Sequence, residues 1–116
     1  MGKWTVESYQ DRRGRFPVDD YIESLQPKDT ARLTRMIDLL EEGGPMLRMP
    51  HARRLGGKIW ELRVDGRPNS YRVLYAALPG GVFLLLHAFA KKTDKTPERE
   101  IAIAERRLED YFGGET

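Results

Sequence analysis

The runs Ile59-Trp60-Glu61-Leu62-Arg63-Val64, Tyr71-Arg72-Val73-Leu74-Tyr75-Ala76-Ala77 and Val82 through Ala90 decide the fold of this chain. Successive side chains of an extended strand leave on opposite sides. The first run therefore places Trp60, Leu62 and Val64 on one face and Glu61 and Arg63 on the other. The second places Tyr71, Val73 and Tyr75 on one face and Arg72 and Leu74 on the other. Asp65-Gly66 and Pro79-Gly80-Gly81 supply the turns between runs. Val82 to Ala90 is apolar on both parities, as expected of a central strand covered on at least part of both faces.

Working outward, Trp4 to Tyr9 alternates weakly and contains Trp4, Thr5 and Val6, which favour a strand. Pro17 suits a first helical position, and Val18, Tyr21, Ile22 and Leu25 follow at helical spacing, which predicts a helix to about Gln26. Pro27 repeats the device. Leu33, Met36, Ile37 and Leu40 then mark one face of a second helix that Gly43-Gly44-Pro45 stops. The two helices form an antiparallel hairpin. Met46 to Lys58 has no period and carries Arg48, His51, Arg53, Arg54 and Lys58, so it reads as a basic loop. Toward the end, Thr96 is placed to cap a last helix with Pro97 at its first position. Ile101, Ala104, Leu108 and Tyr111 form its apolar stripe, and acidic residues at its far end predict fraying beyond Phe112. The order β, α, α, β, β, β, α over residues 1–116 predicts a single α+β domain: a twisted, mainly antiparallel sheet with helices packed against one face.

Composition narrows the chemistry. The 116 residues contain no cysteine, which removes disulfides, thiolate metal sites and cysteine nucleophiles. No apolar run approaches the roughly 18 residues of a membrane helix. The opening Met1-Gly2-Lys3-Trp4 leads into the alternating pattern without an apolar leader, so a cytoplasmic protein away from membranes is expected. The net charge of +2 hides an asymmetry: residues 51–96 carry nine Lys/Arg against three Asp/Glu, while both flanks are slightly acidic. A one-sided block of this kind in a sheet points to a polyanion, RNA or DNA first; the alternatives are a basic surface kept for solubility or one that docks an acidic protein.

Arg63 and Arg72 share a face on adjacent strands, where two guanidiniums repel unless an anion lies between them. A phosphate fits the planar fork of arginine; Glu61, on the same face, supplies the alternative of a structural ion pair. Lys91, Lys92 and Lys95 either close the same concavity from a third side or form a solvated strand exit. His87 is a general acid or base by type and a hydrogen-bonded core residue by setting. His51 reads equally as a phosphate contact or surface filler. Tyr9, Tyr21 and Tyr71 read as core or sheet-edge aromatics. No metal constellation, Walker-type loop or serine triad is legible, and no cofactor is expected.

Taken in order, Leu55 to Arg63, Tyr71 to Tyr75, Leu86 to Pro97 and Glu100-Ile101 with Ala102, Ala104 and Arg106-Arg107 resemble the RelE/ParE toxin superfamily, most closely its phage-derived HigB-like branch. The likeness spans roughly residues 4–112. It implies a RelE-like fold with an N-terminal helical hairpin and a C-terminal helix. It further implies a type II toxin that cleaves mRNA on the ribosome, translation inhibition, and a cognate antitoxin, with a helix-turn-helix domain in that partner. A homodimer stays open. In RelE-type enzymes basic residues carry the reaction without a metal: the ribose 2′-hydroxyl attacks the adjacent phosphate and cations stabilise the developing charge. On that pattern Arg63 and Arg72 hold the phosphate and Lys92 stabilises the transition state, while Glu61, His87 or Lys91 transfers protons. Arg53, Arg54, Lys58, Lys91 and Lys95 extend the RNA contact. Glu61 departs from the pattern, since RelE resembles a Lys-x-Lys or Arg-x-Arg pair there. The alternative function is a ParE-like toxin that binds DNA gyrase without a catalytic cluster, or a remnant that only binds its antitoxin.

Overall fold

The structure, a computed structural model, describes residues 4–47 and 51–113. Strand β1 (Thr5–Ser8) leads into helix α1 (Pro17–Glu23) and helix α2 (Pro27–Gly43), then a 3-10 turn at Gly44–Met46. Strands β2 (Ala52–Gly56), β3 (Ile59–Val64), β4 (Tyr71–Leu78) and β5 (Val82–Ala90) follow, and helix α3 (Glu98–Gly113) ends the described chain. The five strands form one sheet in the order β1-β5-β4-β3-β2. β1 runs parallel to β5 and every other pairing is antiparallel.

Proline sets both early helices, standing at the first position of α1 and of α2 where a missing N–H costs nothing. α1 closes at Glu23, short of the expected Gln26: the Ser24 amide donates to Asp20 and Tyr21 carbonyls and ends the turn. Gly44 terminates α2 at φ 55°, a left-handed conformation that glycine adopts without a Cβ penalty, and an added Cβ would meet Trp4 Cδ1 at 3.2 Å.

The hairpin of α1 and α2 packs on the face formed by Leu62, Val64, Val73, Tyr75 and Leu85, delivering Val18, Ile22, Leu33 and Leu40 to it. Burying each such side chain is worth roughly 1.5–3 kcal/mol. Tyr71 fastens the hairpin to the sheet, its hydroxyl donating to Asp29 Oδ2 at 2.7 Å in the first turn of α2. That bond holds the Asp29 carboxyl below its ordinary range, and burial pushes the Tyr71 hydroxyl up to about 12.

Two features correct the reading of the sequence. The helices do not share one face: α3 covers the opposite side, where Leu74, Ala76, Leu84 and Leu86 pack with Ala104 and Leu108. The apolar residues on the second parity of β4 and β5 require that second cover. The supposed loop 46–58 also contains a strand, β2, which pairs Ala52, Arg53 and Arg54 with Leu62, Glu61 and Trp60. Its two arginines conceal it from propensity, and they suit an edge strand, where charge discourages pairing with another chain. Arg48 lies outside the described residues, as do residues 1–3 and 114–116; the last helix runs one residue past the expected Phe112.

Candidate nucleic-acid interface

β5 leaves the sheet at Ala90 and the chain crosses to α3 through Lys91-Lys92-Thr93-Asp94-Lys95. Three hydrogen bonds hold this crossing. The Lys91 amide donates to the Ser70 carbonyl at 2.8 Å, the Thr93 hydroxyl donates to the Lys95 carbonyl at 2.7 Å, and the buried Thr96 hydroxyl donates to Glu61 Oε2. Thr96 is thus spent on Glu61, where the sequence suggested a cap for α3.

Under the crossing lies a concavity of about 360 Å³. Arg72, Lys91, Lys92, Lys95 and Arg99 line it, against the carboxylates Asp94 and Glu100, with Tyr21 and Phe89 as aromatic walls. The start of α3 opens onto the same space, so the positive end of its dipole adds to the cations. No group of three or more His, Asp or Glu side chains among the described residues is placed to hold a metal ion, and no helix among them is long and apolar enough to cross a membrane.

Of the residues singled out in the sequence, the fold brings Arg72, Lys91, Lys92 and Lys95 together. Arg72 is not open to a ligand as expected. It is 3% exposed, at the floor of the concavity beneath the crossing. Its NH1 donates to Asp65 Oδ1 at 2.9 Å and to the Tyr71 carbonyl at 2.8 Å, and its Nε lies 3.9 Å from Glu61 Oε1. Of the two readings left open for it, the ion pair is the one observed. Glu61, 2% exposed, also takes Arg53 Nε at 3.4 Å, so its oxygens are occupied. Arg63 stands directly opposite Arg72 in the β3–β4 register and is half-buried, outside the lining of the concavity. It makes no ion pair among the described residues, and its Nε is buried without a hydrogen-bond partner.

The remaining basic residues stand elsewhere. Arg54 Nε donates to the Gly57 carbonyl at 3.1 Å within the β2–β3 hairpin, and the Lys58 ammonium sits 5.8 Å above the Phe112 ring. His51 is exposed beside β3, its carbonyl accepting from the Arg63 amide at 2.7 Å.

Sequence reasoning did not bring Arg99, Glu100 or Tyr21 to the site: Tyr21 read as a core or sheet-edge aromatic and Glu100 as part of the opening of the last helix. Arg99 and Glu100 carried a signal: they fall in the first turn of the helix that follows the lysines, which brings the chain back alongside them.

His87 lies behind the concavity. An extra residue in β5 opposite the Leu74–Tyr75 step turns both Leu86 and His87 toward α3. Arg107 NH1 approaches Nδ1 at 3.4 Å, which leaves the proton on Nε2, 2.6 Å from Glu100 Oε1. Burial lowers the imidazole below its ordinary 6.5, Glu100 draws it partly back, and Arg107 presses it down again. The folded state thus disfavours the charged form, while the unfolded chain takes its proton near 6.5. The contribution of His87 to stability is present above that value and lost as pH falls through the depressed folded value. The melting temperature is expected to drop between pH 7.5 and 5.5, and His87→Gln to remove part of that drop. Equal drops in both proteins, measured by thermal denaturation, would show that His87 is not the titrating group.

A mixed five-stranded sheet between an N-terminal helical hairpin and a C-terminal helix, with a cationic concavity where β5 ends, defines a small α+β protein of RelE-like fold. The chain belongs to the phage-derived Gp49-like protein family (DUF891), whose model matches residues 20–109 and which falls within the RelE/HigB-like toxin superfamily. No curated protein matches the sequence.

Proposed function

We propose that this protein is the toxin of a type II toxin–antitoxin pair and that it cleaves mRNA on the ribosome in the cytoplasm. The observation that carries this reading is the convergence of Lys91, Lys92, Lys95 and Arg99 on one concavity with only two carboxylates. Such a cluster attracts a polyanion, and because its members line one space it can meet a phosphate and its neighbours there. In the reaction the ribose 2′-hydroxyl attacks the adjacent phosphorus, and the ammonium groups stabilise the charge that gathers on the phosphoryl oxygens. Arg63, opposite Arg72 in the β3–β4 register, makes no ion pair among the described residues and flanks the site, while Arg72 supports the floor. An antitoxin that presents acidic residues to this surface neutralises it.

Inducing the protein in cells and mapping transcript 5′ ends is expected to reveal new ends within translated frames. Gyrase-linked DNA breaks without such ends would favour the ParE-like alternative. Binding should also weaken with salt. Four phosphate contacts to a single strand release counterions with a logarithmic slope of about −3, or a roughly 50-fold loss of affinity between 50 and 200 mM salt. Salt-insensitive binding of programmed ribosomes would remove the cationic concavity from the working surface.

A further inference from the structure

We propose that Glu100 is the general base of the reaction, taking the proton from the attacking ribose 2′-hydroxyl. This assignment rests on the nuclease reading above. Glu100 is the recessed carboxylate of the concavity, its side chain 16% exposed, and the other acceptors near it are engaged or unsuitable. Glu61 is sealed by Arg53, Arg72 and Thr96. Asp94 projects into solvent, 4.0 Å from the Lys91 ammonium. The lysines on the rim carry ammonium groups, which donate and cannot accept. Tyr21 faces the space from α1 and keeps its proton, since burial raises its hydroxyl and the charge of Glu100 raises it further.

The carboxylate is also held in place. His87 Nε2 on β5 donates to Oε1 at 2.6 Å, and the imidazole is in turn met by Arg107, itself fixed to the Leu86 carbonyl at 2.8 Å. Arg99 Nε lies 3.8 Å from the second oxygen, Oε2, too far for a hydrogen bond. That oxygen keeps a lone pair for a proton. His87 acts through Glu100 as a positioning residue and does not line the concavity.

The step balances without a further reactant. Glu100 takes the 2′ proton, the 2′ oxygen bonds to phosphorus, and the bond from phosphorus to the 5′ oxygen breaks. The leaving oxygen takes a proton from the Lys92 ammonium. A 2′,3′-cyclic phosphate and a 5′-hydroxyl result, and the proton on Glu100 returns to Lys92 through water.

A purely structural tie between α3 and β5 makes a different prediction, because glutamine accepts the same bond from His87. The test is single-turnover cleavage of mRNA on programmed ribosomes by the wild-type protein and by Glu100→Gln, with ribosome binding and circular dichroism measured alongside. The expected result is a folded variant that binds normally and cleaves roughly 10²- to 10⁴-fold more slowly. Cleavage by E100Q within a few-fold of wild type would overturn the assignment and leave the nuclease reading intact. No cleavage by the wild-type protein overturns the nuclease reading, and the assignment falls with it. Should E100Q fail to fold, the wild-type pH–rate profile decides. A rate that has levelled by about pH 7 supports a carboxylate base, and one still rising through about pH 9 overturns it in favour of a lysine amine.

Discussion

Arg72→Ala is expected to cost about 3–5 kcal/mol of stability, because it removes the buried cation beside Glu61 and leaves that carboxylate only the more exposed Arg53. Glu61 is 2% exposed and has Arg72, Arg53 and Thr96 as its partners. Without Arg72 the nearest remaining cation is Arg53, whose side chain is 44% exposed and therefore screened by water. Asp65 and the Tyr71 carbonyl lose their contacts as well. Against a total stability of about 5–15 kcal/mol, this loss corresponds to a drop of roughly 10–25 °C in melting temperature for a domain of this size. Growth inhibition should disappear through loss of the folded toxin, so an activity assay alone cannot assign Arg72 to chemistry. Thermal denaturation of purified R72A decides: a melting temperature within about 2 °C of wild type would return Arg72 to the set of ligand-binding residues. The same substitution in a Glu61→Gln background is expected to cost less, since no buried charge is then stranded.

Lys92→Ala has the opposite signature. Lys92 is exposed on the crossing between β5 and α3, lines the concavity, and makes no ion pair among the described residues. Its removal strands no buried group, so the melting temperature should stay within measurement error of wild type. Removing one donor aimed at developing charge slows a reaction by roughly 10²- to 10³-fold. The lower end is expected here, because an ammonium on an exposed, flexible stem is less preorganised than a backbone donor. Cleavage rates on programmed ribosomes, with Lys91→Ala and Lys95→Ala in parallel, rank the three lysines. A variant that cleaves at the wild-type rate identifies a lysine that only thickens the positive field. Together the two substitutions separate stability from chemistry: Arg72 should fail in the melting experiment and Lys92 in the cleavage experiment.

Local pattern by itself determined the elements whose side chains follow their own periodicity. The alternation in Ile59–Val64 and the two-sided apolar run of Val82–Ala90 mark strands whose ends coincide with the observed ones, and Pro17, Pro27 and Gly44 bracket the helical hairpin. The excess of positive charge in residues 51–96 is likewise a property of composition that any fold must place somewhere. Only the tertiary structure decided where those charges act. Ala52–Gly56 is a strand because β3 offers it an edge to pair with, a reason that lies outside its own residues. Arg72 looked available because strand parity turned it away from the first core, yet parity does not show which charges stand beside it, and Glu61 of β3 with Asp65 of the β3–β4 turn makes an apparent ligand an ion-paired residue. Glu100 and His87 are 13 residues apart, and the contact between them depends on an extra residue in β5 that turns His87 toward α3. Periodicity fixes the direction of a side chain relative to its own strand or helix; what it meets there is set by how the strands and helices assemble, and that encounter made one arginine structural and one glutamate a candidate base.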